Sequence, residues 1–329
     1  MKRLPLWPVL LGAILLCVGS IVFAVLVGER TISLATAWQE LLHHGPIVWD
    51  IRLPRIIAAA FVGAALAVAG VGLQGLTGNP LADPYLVGVA SGASVGVGLG
   101  VLLGIADTPG QPLLSLLALA CALLATTLVF ALSRSGRQLS LSGFLLAGIV
   151  VGTFLAAMVN LLLTLARQDQ SRILQKLMGY LDDAGWQQLA ILAPVTIAGA
   201  LVLSLCGKGL DAMAFGEATA RSVGVDVERF KLGVLALIAL LTACAVAVSG
   251  VIGFVGLVVP HLARALLGPP HRPLVPVAAL LGATLLVLAD QLSRSLLPGT
   301  LLPIGVITAL LGAPFFAGLL RRQLSQGVS

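Results

Sequence analysis

The sequence predicts an all-α polytopic membrane protein with about ten transmembrane helices, from its composition and from the length of its apolar runs. Of the 329 residues, 59% are hydrophobic and only 10% are charged, whereas a soluble domain carries roughly 25% charged residues. A soluble fold could not cover its surface with so few charges, and a disordered chain would be far less apolar. The runs are long and unbroken, as in spanning helices of about 20 residues, unlike the alternating segments of about ten in a transmembrane barrel.

Ten apolar runs are the candidate spans. They lie at 7–27, 55–76, 85–105, 113–132, 143–166, 187–206, 231–250, 251–268, 273–292 and 304–320. The first run follows Lys2 and Arg3 but is longer than the apolar part of a signal peptide, which has about 7–15 residues. We therefore expect it to be a retained span. An even number of spans places both termini on the same side of the membrane.

The seventh and eighth runs are continuous in hydropathy, since Arg264 is the only charged residue between Lys231 and Leu267. A straight helix of that length would measure about 55 Å, whereas the hydrocarbon layer is about 30 Å thick. The chain must therefore turn inside this stretch. Because glycine adopts conformations closed to other residues, the segment from Ser249 and Gly250 to Gly256 is the predicted turn.

The positive-inside rule predicts that both termini are cytoplasmic. With that orientation, twelve of the 19 Lys and Arg residues fall on the inner side and seven on the outer side. The outer residues include Arg52, Arg55 and Arg294 at helix ends. Lone arginines there anchor helix ends at headgroups, or else bind the carboxylates of a partner protein.

Several chemistries are disfavoured by motif and spacing. The formal charge of +6 is scattered singly along the chain and forms no basic patch for nucleic acid, and the four cysteines show no CxxC spacing for a metal. No GxxxxGK[ST] motif is present, so the chain is not expected to bind ATP through a P-loop or to be the enzyme that hydrolyses it. We expect no metal site, no cofactor bound by this chain and no nucleic-acid partner.

Two other functional classes stay open at this point. An ion-coupled secondary carrier normally has ionisable residues at mid-membrane, whereas the centres of the ten runs lack them, so the energy is expected from a partner. Residues Gly92 to Gly96 match the GxSxG pattern of a serine nucleophile, which requires a strand–turn–helix context and a reachable histidine. Because Ser94 lies early in an apolar run, packing is the favoured interpretation over an intramembrane serine protease.

The long inner loop from Cys206 to Lys231 predicts two short helices. Glu217 and Arg221 have i,i+4 spacing, Gly224 suits the left-handed residue that ends a helix, and Asp226 suits the cap of the next. The loop also carries apolar side chains that an ordinary solvated loop would lack. It is therefore interpreted as a docking surface on the cytoplasmic side.

Several long motifs in the same order resemble the permease subunits of type II ABC importers, the FecCD family of vitamin B12, heme and ferric-siderophore permeases. The motifs are RLPR at 52–55, GVGLQGLTGNPLADPYLVGVASGA at 70–93, LSLSGFLLAG at 139–148, LMGYLDDAGW at 177–186, FGEATARSVGV at 215–225, GFVGLVVPHLARALLGPPHR at 253–272, AD at 289–290 and LPIGVITALLGAPFFAGLLRR at 302–322. The resemblance covers almost the whole chain.

The resemblance implies one transmembrane permease domain over 1–329, with the fold of the vitamin B12 permease and a coupling-helix loop at 207–231. It implies a multi-pass protein of the bacterial cytoplasmic (inner) membrane, with both termini inside. The implied partners are a second permease copy in a homodimer, two cytoplasmic ATPase subunits that bind ATP and Mg, and a periplasmic or lipid-anchored substrate-binding protein. Alternating access driven by the ATPases would carry a large metal chelate inward.

Site residues follow from the same resemblance. Contacts with the ATPases are implied for Phe215, Gly216, Glu217, Ala218, Arg221 and Gly224. Docking of the binding protein is implied for Arg52, Arg55 and Arg294. A cytoplasmic gate is implied for Asn79, Leu81, Ser140, Leu141 and Ser142.

The substrate is expected to be an iron-bearing chelate, a siderophore or heme, ahead of cobalamin. This expectation rests on how frequent such substrates are in the family and on three basic residues near the outer end of the fifth span. Arg167, Arg172 and Lys176 would meet heme propionates or an anionic iron chelate, or else balance Asp169, Asp182 and Asp183.

Overall fold

The computed structural model describes residues 4–27, 32–107, 112–135, 138–182, 184–297 and 301–326. These residues form α1 (Leu6–Leu26), α2 (Leu34–Leu42), α3 (Leu53–Thr77), α4 (Val89–Leu102), α5 (Pro112–Ser133), α6 (Leu141–Ala166), α7 (Gln170–Leu177), α8 (Trp186–Leu205), α9 (Gly207–Ala214), α10 (Glu217–Ser222), α11 (Val227–Ser249), α12 (Val255–Leu267), α13 (His271–Ser295) and α14 (Ile304–Gln326). A π-helix at Ile47–Arg52 runs directly into α3. Residues 134–135 and 138–139 form a two-residue antiparallel pair before α6.

Ten helices match the ten predicted spans. Seven are long and apolar enough to cross a membrane, and α4, α12 and the first part of α14 are shorter apolar helices. The helix in the predicted run 85–105 covers only Val89–Leu102, because Gly88, at φ +80°, separates a 3₁₀ turn from α4. At 13 residues, α12 is roughly 20 Å long. The prediction of an all-helical polytopic fold is confirmed.

The predicted turn between the seventh and eighth spans is also confirmed. Helix α11 ends at Ser249, the next residue Gly250 has φ +69°, and α12 begins at Val255. A Cβ atom on Gly250 would lie 2.3 Å from the carbonyl oxygen of Lys176. The turn therefore packs against the end of α7, which only a glycine allows.

Helix α3 is the centre of the bundle, with 83% of its spanning window buried. A Cβ atom on Gly63 would lie 2.1 Å from the carbonyl oxygen of Gly282 in α13, and one on Gly70 would lie 1.9 Å from that of Gly256 in α12. Small residues thus bring the helix backbones into direct contact, as expected for packing inside a membrane. By contrast, only 22% to 33% of the windows of α1, α5, α6 and α8 is buried, which leaves apolar faces for lipid or partner subunits.

Candidate coupling and docking sites

The inner loop folds into the two predicted short helices, α9 and α10, which we call the coupling hairpin. Gly216 connects them at φ +103°, and Gly224 follows α10 at φ +86°. The Asp226 carboxylate accepts a hydrogen bond from the backbone N–H of Arg229 at 3.2 Å and caps α11. The local structure predicted for Gly224 and Asp226 is therefore confirmed.

The residues predicted to contact an ATPase divide into an exposed set and one half-buried carboxylate. Phe215 is 80% exposed, and Glu217 is half-buried. The other four, Gly216, Ala218, Arg221 and Gly224, are exposed. Val223 is a further exposed apolar residue beside them. The hairpin thus presents a surface with apolar side chains, and the coupling role of these residues stays a prediction.

Glu217 belongs to a buried ion-pair network that the sequence interpretation missed. Its carboxylate accepts from Arg221 at 3.4 Å, as the spacing predicted, and also from Lys231 at 3.1 Å. The Lys231 ammonium lies 3.0 Å from Glu228 as well, and its side chain is only 2% exposed. A buried lysine needs such partners, because an unpaired buried charge is strongly unfavourable. Lys231 therefore ties α10 to the first turns of α11.

A second contact ties α9 to α13. The Asp211 carboxylate accepts from the backbone N–H of His271 at 2.9 Å and lies 2.6 Å from its Nδ1 atom. Gly207 packs just as closely, since a Cβ atom there would lie 2.7 Å from the backbone nitrogen of Arg272. Both helices of the coupling hairpin are thus attached to membrane spans, α10 to α11 and α9 to α13.

On the opposite face, the predicted docking arginines already have partners within the chain. Asp290, only 1% exposed, accepts from Arg55 Nε at 2.9 Å, from Arg55 Nη2 at 2.8 Å and from Arg294 Nη2 at 3.0 Å. Arg55 also pairs with Asp182, whose side chain is 36% exposed. We call these four residues the outer cluster. Arg52 is buried near the cluster, and its guanidinium donates to the carbonyl oxygen of Val25.

This geometry changes the interpretation of the docking arginines. The sequence suggested arginines open to a partner's carboxylates, whereas Arg55 and Arg294 are 12% and 9% exposed and share the carboxylate of Asp290. Their docking role stays a prediction. Breaking a buried ion pair by removing one partner costs about 3–5 kcal/mol, whereas an exposed pair contributes about 0–1 kcal/mol. Asp290 is therefore the enclosed partner of Arg55, and Asp182 is the more exposed one.

Lys176, one of the three predicted substrate contacts, lines a cavity. That cavity has a volume of about 40 Å³ and is also lined by Ser115, Tyr180 and Gln188. Burial lowers the pKa of Lys176, the nearby charge of Arg172 lowers it further, and Asp182 raises it.

The other two predicted substrate contacts lie on either side of the α7 start. Arg172 donates to the carbonyl oxygen of Ala106 at 2.9 Å, and Arg167 is exposed. Asp182 pairs with Arg55, and Asp169 is exposed. Asp183 lies outside the described residues. The roles of Arg167, Arg172 and Lys176 as substrate contacts stay predictions.

The predicted gate residues lie at helix ends. Asn79 accepts from the backbone N–H of Leu81 at 2.9 Å just after α3 ends, and Ser140 accepts from the N–H of Gly143 at 3.1 Å and caps α6. Ser142 is exposed and Leu141 is half-buried. Their role as a gate stays a prediction.

The GxSxG pattern has no catalytic geometry. Ser94 lies within α4, and its hydroxyl donates to the carbonyl oxygen of Ala90 at 2.8 Å. A nucleophile elbow needs a sharp turn between a strand and a helix. The packing interpretation of this motif is therefore supported.

Ten apolar helices, with the coupling hairpin on one face and the outer cluster on the other, define a polytopic membrane protein. The family model of the FecCD transport family matches residues 14–322. The chain belongs to this family. It is the multi-pass permease subunit of an ABC importer and not the ATPase, and an importer permease works with ATPase and binding-protein partners.

Relatives and a solved structure agree on the family. The cobalamin import system permease protein BtuC of Halobacterium salinarum is 42% identical over 84% of this chain and 73% of the relative. The hemin transport system permease protein HmuU of Yersinia pestis is 40% identical over 98% of this chain and 97% of the relative. A solved structure described as a metal-chelate type ABC transporter in an inward-facing conformation is 32% identical, with a TM-score of 0.85, and covers 96% of this chain and 99% of that chain.

Proposed function

We propose that this chain translocates an anionic, iron-bearing chelate, a siderophore or heme, by alternating access that partner ATPases drive. The coupling hairpin supports the proposal that ATPases drive the transport. It is anchored to α11 through Lys231 and to α13 through Asp211. A rigid attachment of this kind passes movement from a docked ATPase into the bundle. Differential binding of ATP to the two states of the transporter supplies the work.

The proposed substrate class rests on charge and on the relatives. Lys176 lines a cavity near the outer end of the bundle, and Arg172 lies close enough to lower the pKa of Lys176. A cation pair suits carboxylate or propionate groups on a chelate. The relatives with similar identity are named for hemin and for cobalamin, and the basic residues favour the anionic ligand.

The proposed assembly has two copies of this chain, two ATPase subunits that bind ATP and Mg, and one periplasmic or lipid-anchored binding protein. The exposed apolar faces of α6 and α14 provide surface for the second copy, through residues such as Phe154 and Leu310. Arg52, Arg55 and Arg294 are the proposed docking residues for the binding protein.

Co-purification tests this proposal. The tagged chain should be purified with the proteins encoded beside it, and ATPase activity should be measured in liposomes with binding protein loaded with hemin, a ferric siderophore or cobalamin. We expect a complex that an iron-loaded binding protein stimulates. Stimulation by cobalamin alone would overturn the substrate class, and a lone chain indifferent to ATP would overturn the assembly.

Charge reversal tests the docking residues within the same complex. The double variant Arg52→Glu with Arg55→Glu should weaken capture of the binding protein by at least about tenfold, because like charges repel across an interface. Because Arg55→Glu also removes a partner of the buried Asp290, thermal unfolding is measured alongside, and only loss of capture by folded, ATPase-bound importer counts as loss of docking. Unchanged capture would remove these arginines from the docking surface.

A further inference from the structure

Asp182 lies in the short segment 178–182 between α7 and α8, which we call the outer connection. Its carboxylate pairs with Nη1 of Arg55, while Nε and Nη2 of the same guanidinium bind Asp290. The two aspartates differ in exposure, at 36% for the Asp182 side chain and 1% for Asp290. Water therefore reaches the Asp182 carboxylate, whereas Asp290 is enclosed and Arg55 between them is 12% exposed.

The outer connection is bonded to two spans besides α3. The backbone N–H of Tyr180 donates to the carbonyl oxygen of Ser249 at 3.0 Å, and the N–H of Ile304 donates to that of Gly179 at 2.8 Å. Gly179 has φ +87°, and a Cβ atom there would lie 2.9 Å from the side chain of Ile252. The connection therefore links the end of α11 and the start of α14 in one hydrogen-bonded unit.

We infer that Asp182 is an exchangeable partner of Arg55, and that a carboxylate of the docking binding protein takes its place. This inference rests on the proposed docking role of Arg55. The exchange leaves the buried pair with Asp290 intact, so the guanidinium stays in position while the outer connection is released from α3. Docking is thereby transmitted to α7, which carries Lys176, and to the start of α14.

The energetic order of the two pairs supports this exchange. Asp182 is the more solvated of the two partners of Arg55, so its pair contributes less to stability than the enclosed pair with Asp290. A carboxylate of the binding protein replaces Asp182 where its charge-assisted hydrogen bonds to the guanidinium outweigh the cost of its own desolvation. Asp182 is then a positioning residue, which acts through Arg55 and the outer connection and does not itself touch the substrate.

The variant Asp182→Asn tests this role in the complete importer in lipid nanodiscs. Without binding protein, amide hydrogen exchange at Tyr180 and Ile304 should rise by up to about fivefold, since one exposed ion pair is lost. Basal ATPase activity should rise toward the stimulated level, and the ratio of stimulated to basal activity should fall. Affinity for the purified binding protein should change less than about fivefold. Asp169→Asn is the matched control, because it removes the same charge from an exposed site on the same face.

Wild-type importer provides the second measurement, which needs no variant. Docking of the binding protein should raise amide exchange at Tyr180 and Ile304 as Asp182→Asn does. If the binding protein docks and stimulates, but exchange is unchanged and Asp182→Asn behaves as wild type, the exchange of partners is overturned and docking stands. If Arg55→Gln captures the binding protein as well as wild type does, Arg55 has no docking role. The inference about Asp182 is then overturned as well, because it rests on that role.

Discussion

The coupling hairpin and the outer cluster each lie at a buried charge that is held between two side chains of opposite sign. The two sites differ in the side chains that they expose to solvent. Lys231 lies between Glu217 and Glu228 on one face, and Asp290 lies between Arg55 and Arg294 on the other. Phe215 and Val223 are exposed at the coupling hairpin, above the buried Lys231 of α11, whereas the side chain exposed in the outer cluster is mainly that of Asp182.

Under the proposed function, this difference predicts two kinds of docking surface. Apolar side chains such as Phe215 give a stable contact through burial, which suits a partner that stays bound. Charged groups steer association and exchange readily, which suits a partner that must come and go. In both places the buried charge fixes the orientation of flexible side chains before a partner arrives.

The largest effect is expected for Asp290→Asn. The variant leaves Arg55 and Arg294 without their buried counter-charge, which should destabilise the protein by about 3–5 kcal/mol. Thermal unfolding of the purified permease measures this loss, with Asp50→Asn as the control because that side chain is exposed. A loss below about 1 kcal/mol would show that water reaches the pair, and that the outer cluster is not enclosed.

A smaller effect is expected for Lys231→Met, which keeps the length of the side chain and removes the charge. Glu217 and Glu228 are 40% and 28% exposed, so water can solvate their carboxylates once the lysine is gone. The cost should be about 1.5–3 kcal/mol, the range for hydrogen bonds to charged groups. In the complex, ATP hydrolysis should continue while transport per ATP falls. Unchanged transport per ATP would show that α10 needs no attachment to α11.

Phe215→Ala should affect association and leave stability unchanged. The side chain is 80% exposed in the free chain, so its removal costs the fold little, but aromatic residues often dominate an interface. We expect about tenfold weaker binding of the ATPase, which corresponds to about 1.4 kcal/mol. Titration with the purified ATPase measures this affinity. The comparison variant is Val223→Ala, which shortens a smaller exposed apolar side chain nearby. Equal binding by Phe215→Ala and wild type would place the docking surface elsewhere.

The smallest effect is expected for Arg221→Gln. Arg221 is 56% exposed and its distance to Glu217 is 3.4 Å, so the pair should contribute about 0.3–0.5 kcal/mol at low salt. Stability measured at two salt concentrations should show the difference shrink as salt rises. A larger loss that resists salt would mean that the contacts of Arg221 with Glu217 and Glu228 are shielded from water.

The sequence interpretation succeeded where the signal is local. Hydropathy predicted ten spans, glycines predicted the turn after Ser249, and Gly224 and Asp226 predicted the end of α10 and the cap of α11. It failed to find the partners of charges that are distant in the sequence. Arg55 and Asp290 are 235 residues apart, and Asp211 and His271 are 60 apart, so their contact depends on how the helices pack.

By itself, the sequence determined the class of fold, the number of spans and the short helices of the coupling hairpin. Burial of an apolar run in lipid, helix capping and glycine turns depend on residues near one another in the chain. Only the tertiary structure decided that Lys231 is buried beneath α10 and that Asp290 binds the outer arginines. The sequence around a charged residue does not identify its partner when that partner lies on a distant helix, because the way the helices pack decides which side chains meet.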